Sequence, residues 1–134
     1  MGVIYVARSA KLSDWASDVG LSKHVFKVGV TDEDPAEVAA RGWAGETDWT
    51  IVRKQDASDL TEEAAIERLS RKDKMVDPTY YPRLKGTQGV FKVSPTHVTN
   101  HIVVARALAG EDERADIKLK TADYAAYLIA NALR

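Results

Sequence analysis

Two short apolar, β-branched runs open the chain. Val3 to Ala7 is the first. In the second, Val25 to Val30, alternation sets Phe26, Val28 and Val30 on one face against Lys27 and Gly29 on the other, the period-two pattern of a strand. The segment between them, Lys11 to His24, is polar and turn-rich with room for a helical turn, and reads as an extended connection between adjacent strands. Asp34-Pro35-Ala36-Glu37 then reads as a helix start, with Asp34 as N-cap, Pro35 in the first turn, Glu37 reaching back and Gly42 as the stop. A third strand at Thr50 to Arg53 leads to Asp59, which with Glu62 three residues on predicts the cap of a second helix. That helix places Ala65, Ile66 and Leu69 on one face and Glu67 on another. Asp77-Pro78 and Tyr81-Pro82 break helical structure before a strand at Val90 to Val93. Ser94-Pro95 opens a helix with the stripe Val98, Ile102, Ala105 and Ala109, closed by Gly110. An acidic run, Glu111 to Glu113, precedes a last helix, capped by Thr121, with Tyr124, Leu128 and Ala132 at helical spacing and Tyr127 beside them.

The order predicts an α+β fold: a small, mostly antiparallel sheet of three to four strands flanked by helices. Residues 1–110 read as the domain and residues 111–134 as a helical appendage packed on it. An alternative use of that last helix is a homodimer face made by Tyr124, Tyr127 and Leu128.

Composition narrows the setting. At 134 residues, 45% apolar and 29% charged, the chain has the size of one domain with its own core. It has no cysteine, which excludes disulfides, thiolate nucleophiles and Cys-based metal centres. It opens without a basic leader and apolar core, and no stretch reaches the ~18 to 20 apolar residues of a membrane span, so a cytoplasmic protein is expected. The net charge of −1 hides segregation, because residues 31–63 are strongly acidic and residues 64–110 basic. In the basic block Arg68, Arg71, Lys72, Lys74, Arg83 and Lys85 face only Asp73 and Asp77 along the sequence. They form either a phosphate-backbone footprint or a solvated helix end and loop.

Phosphate loops, dinucleotide fingerprints, zinc-protease helices and nucleophile elbows are absent from the sequence. His97 and His101, four apart, share a helix face as metal ligands would or as a polar surface would. Trp43 and Trp49 read as core residues ahead of base-stacking ones.

A pattern spread along the chain remains. Gly2-Val3-Ile4-Tyr5-Val6, then Phe26-Lys27-Val28-Gly29, then Asp34-Pro35-Ala36-Glu37 opening a helix resemble the first half of the GIY-YIG nuclease superfamily. The likeness is to its K-I-G variant branch of phage and meiotically up-regulated fungal proteins. Ala65-Ile66-Glu67-Arg68-Leu69 resembles that branch's acid-bearing helix, and Val90-Phe91-Lys92-Val93-Ser94-Pro95 its closing strand and helix cap. The resemblance spans residues 2–108 and implies a metal-dependent endonuclease acting on DNA phosphodiesters. It implies Tyr5 and Lys27 as catalytic strand residues and Glu67 as the ligand of Mg2+ or Mn2+, activating the attacking group and neutralising developing charge. The family's arginine slot holds Val38, and Arg41, one turn on, takes the role; a histidine common after the glutamate is Ser70. Gly29 either lets nucleic-acid backbone approach the sheet or serves tight packing. Loss of a transition-state donor typically costs about 10² to 10³ in rate. A weakened or inactive enzyme is therefore expected, and the alternative is a non-catalytic nucleic-acid-binding or protein-interaction module.

Overall fold

A computed structural model describes residues 2–110 and 118–133. Strand β1 (Val3–Ser9) runs directly into helix α1 (Ala10–Asp18), and β2 (Val25–Thr31) returns antiparallel to β1 with Tyr5 opposite Gly29 and Ala7 opposite Lys27. The connection between the two strands is thus a helix, not an extended loop. The Ser9 hydroxyl accepts from Leu12 N, while Asp48, far along the chain, accepts from both the Ser9 hydroxyl and the Lys11 backbone N–H. Carboxylate charge at the first turn favours the helix, and that charge arrives from another part of the fold. Burial pushes the Asp48 carboxyl upward, but its bonds from Ser9 and Lys11 prevail and hold it below the ordinary range.

Helix α2 (Pro35–Arg41) has the Asp34 cap and the Gly42 stop that the sequence predicts, without the reach-back by Glu37: Asp34 accepts from Ala36 N, and Gly42 ends the helix at φ 80°. Strand β3 (Trp49–Asp56) pairs with the free side of β1 through a register shift at Val6/Ala7. It extends past Arg53 because that pairing continues to Val3. Helix α3 (Glu62–Ser70) is capped by Thr61, not Asp59; the Thr61 hydroxyl accepts from Ala64 N, which leaves Glu62 first in the helix. Strands β4 (Lys74–Met75) and β5 (Val90–Lys92) complete an antiparallel five-stranded sheet in the order β3-β1-β2-β5-β4. The fold is α+β as expected, with one more strand, because two residues of β4 are too few to show alternation.

Each face of the sheet has its own core. Ile4, Val6, Phe26, Val28, Phe91 and Val93 line the first, covered by α3, by the start of α4 (Pro95–Leu108) and by α5 (Thr121–Ala132). Tyr5, Ala7, Val25 and Val90 line the second, covered by α1, by Ala39 of α2, and by Trp43, Trp49 and Leu84. Tyr124, Tyr127 and Leu128 are buried in the first core, which corrects the expectation of a dimer face built from them. Lys120, not Thr121, holds the N-cap position of α5, and its backbone N–H is received by Asp123. In α4 only Val98 of the expected stripe is buried and Ile102 partly so, while Ala105 and Ala109 are exposed. The acidic run Glu111 to Glu113 lies outside the described residues. No helix among the described residues is long and apolar enough to cross a membrane.

Candidate nucleic-acid interface

Pairing of β1 with β2 brings two of the four expected catalytic residues to one place. Tyr5 and Lys27 both point to the second face, and both are buried, at 3% and 4% exposure. Lys27 Nζ donates to Val28 O at 3.1 Å, stands 3.9 Å from Glu62 Oε1, and lies 5.5 Å from the centre of the Trp43 ring. Trp43 also stacks on Tyr5 with centroids 5.7 Å apart. Strand β5 leaves β2 at Gly89, whose carbonyl takes the Val28 N–H, and just beyond it the Glu62 carboxylate accepts from Val30 N at 3.2 Å.

Gly29 serves packing. A Cβ there would collide with the Tyr5 hydroxyl and lie 2.8 Å from Glu62 Oε1, so the face beside Lys27 is filled by the protein itself. Burial, reinforced by the charge of Glu62, pushes the Tyr5 phenol well above its ordinary range, which keeps it protonated. Burial pushes the Lys27 ammonium down, with Glu62 opposing. A phosphate could meet Lys27 only by displacing Glu62 and Trp43.

The other two expected catalytic residues lie elsewhere. Arg41 makes a two-pronged bond to Glu33, at 3.0 and 2.7 Å, on the exposed surface. Glu67 is paired with Arg71 at 2.8 Å, both side chains about 70% exposed. The carboxylate that reaches Lys27 is that of Glu62, which the sequence marks only as a capping residue, since its reach depends on where α3 docks against β2. Among the described residues no three His, Asp or Glu side chains gather as a metal group, and Glu67, where Mg2+ or Mn2+ is expected, is paired with Arg71. His97 and His101 do share a face of α4 and line one cavity.

The basic block disperses. Arg68 donates to Ala132 O at the end of α5, Arg71 to Glu67, and Arg83 to Ala44 O and to Glu46 Oε1. Lys85 lies over Gly45, and Lys72 lines the cavity between α4 and α5. Arg83 also lies over the Trp15 ring at 6.0 Å, and Lys74 alone of the six is paired with a second lysine. It stands directly opposite Lys92 across the β4–β5 ladder, and both line a 320 Å3 groove with Leu21, Tyr80 and Tyr81. Tyr80 is 74% exposed and packs edge-on against Tyr81, which packs edge-on against Trp15. Asp77 also lines the groove, but its carboxylate accepts from Thr79 N and so serves the turn. Lys92 was missed in the sequence because it belongs to a strand; adjacent tyrosines between prolines in a basic block were the signal within reach. The groove is the outer edge of the face that holds Tyr5 and Lys27, continued through Val25 and Val90.

No protein-family model, curated protein or solved structure matches this chain.

Proposed function

We propose that the domain binds single-stranded nucleic acid, without cleaving it, along the β4–β5 edge. The observation that carries this is the Lys74–Lys92 pair beside the exposed Tyr80. Like charges directly opposite each other across a ladder oppose folding, and an anionic backbone relieves them. An exposed aromatic ring next to such charge offers a stacking surface that any base can use. The endonuclease implied by the sequence resemblance draws less support, because Tyr5 and Lys27 are enclosed and Arg41 and Glu67 are each held in an exposed ion pair without them.

Fluorescence anisotropy with labelled oligo-dT and oligo-U tests the binding. Affinity is expected to fall with salt, with Lys74→Ala and Lys92→Ala each lowering the slope by about one. Tyr80→Ala is expected to cost about 1–3 kcal/mol of binding, the loss of one stacked base. Oligonucleotide binding indifferent to all three substitutions overturns the proposal. In a plasmid nicking assay with Mg2+ or Mn2+, wild type and Glu67→Ala are expected to match the protein-free control. Cleavage by wild type and not by the variant restores the endonuclease reading.

A further inference from the structure

The turn that presents Tyr80 is held from both ends. Before it, the Val76 N–H donates to Val90 O at 2.7 Å, and after it Leu84 is fully buried in the second core. Pro78 and Pro82 fix φ on either side of the two tyrosines. Asp77 supplies two acceptors: its carboxylate takes the Thr79 N–H at 2.8 Å, and its carbonyl takes the Tyr81 N–H at 2.9 Å. In the first of these an aspartate side chain replaces a backbone acceptor for the residue two places on. Tyr81 then packs edge-on against Trp15 at 5.7 Å and against Tyr80 at 4.8 Å, which gives the Tyr80 ring a fixed neighbour.

Tyr80 itself is 74% exposed and makes little packing that could fix it. Its place is set by the turn. Asp77 also lines the groove, with Lys74 and Lys92. There its charge opposes an anionic ligand, while its bond to Thr79 orders the residue next to Tyr80. The second effect is the larger. One exposed charge changes affinity by about twofold. A hydrogen bond that orders a contact segment before the ligand arrives is worth about fivefold.

We propose, resting on the reading of the β4–β5 edge as a single-strand binding site, that Asp77 is a positioning residue. It holds the turn so that the Tyr80 ring stands ready as a stacking surface beside Lys74 and Lys92. A base then meets an aromatic group whose ordering cost is already met.

The test is fluorescence anisotropy with labelled oligo-dT on Asp77→Ala and Asp77→Asn, each alone and combined with Tyr80→Ala. Position 77 is exposed, so neither substitution disturbs a core, and thermal unfolding checks each fold. Asp77→Ala is expected to weaken binding about fivefold although it removes a negative charge. Asp77→Asn keeps the acceptor for Thr79 and drops the charge, so it is expected to bind as tightly as wild type or up to about twofold tighter. With Tyr80 already replaced by alanine, Asp77→Ala is expected to cost nothing further. Three results each overturn the inference and leave single-strand binding standing: Asp77→Ala as tight as wild type, Asp77→Asn as weak as Asp77→Ala, or the full loss persisting beside Tyr80→Ala. Wild type that does not bind oligo-dT at all overturns both.

Discussion

The Lys27 ammonium and the Glu62 carboxylate stand 3.9 Å apart where β5 parts from β2, and the lysine of that pair is buried while the glutamate is 43% exposed. The asymmetry sets what each substitution does. Lys27→Met keeps the stem and removes the charge, so stability is expected to change by less than about 1 kcal/mol. Glu62→Ala leaves the ammonium with Val28 O and the Trp43 ring and frees Val30 N–H; with the glutamate partly solvated, the expected loss is about 1–2 kcal/mol. Urea unfolding of the two variants checks the order, which reverses if the pair is a net source of stability through its lysine.

Alkaline titration is expected to have two arms. Lys27 has its folded-state pKa lowered by burial, so between that value and the ordinary lysine range near 10.4 the unfolded chain binds more protons and stability rises with pH. Tyr5 and Tyr127 have theirs raised, chiefly by burial, so the stability they contribute is complete below about pH 10 and is lost as pH climbs further. Denaturation midpoints from pH 7 to 11 are expected to flatten on the rising arm in Lys27→Met and to fall less steeply above pH 10 in Tyr5→Phe.

Gly29→Ala pushes a methyl group against the Tyr5 hydroxyl and ring, with Cζ 2.6 Å away, and toward Glu62. Overpacking of this kind costs about 1–3 kcal/mol. Tyr5→Phe removes the hydroxyl and leaves the ring, so the double variant is expected to recover part of the loss. A double-mutant cycle with zero coupling denies that the glycine is there to seat the tyrosine.

Lys92→Glu converts the repulsion with Lys74 into attraction, and is expected to raise stability by up to about 1 kcal/mol while weakening oligonucleotide binding. Thermal unfolding and anisotropy on the same sample read both effects. Loss of stability and binding together marks Lys92 as structural instead.

How much of this was legible in the sequence follows from where each determinant sits. Helix α2 was readable at both ends because Asp34, Pro35 and Gly42 act on their own neighbours. The two faces of β2 were readable because Phe26, Val28 and Val30 alternate with Lys27 and Gly29. Helix α1 was hidden, since part of its first-turn stabilisation comes from Asp48 across the fold. The Thr61 cap was hidden behind an equally well-spaced Asp59. The sequence paired Tyr5 with Lys27 as expected catalytic residues but could not show that Glu62 and Trp43 enclose them. Asp73 looked like a stray countercharge in a basic loop, yet the turn after α3 buries it between Tyr127 and His97.

The two outermost strands are also the boundaries of the sheet. One is the two-residue β4 with Lys74; the other is β3, which carries Arg53, Lys54 and Asp56 toward its far end. A neighbouring chain seeking to extend the sheet would meet a ladder too short on one side and crowded with charge on the other. Fibre-like growth through strand addition is thereby discouraged, and the sheet can stay five strands wide in a crowded solution.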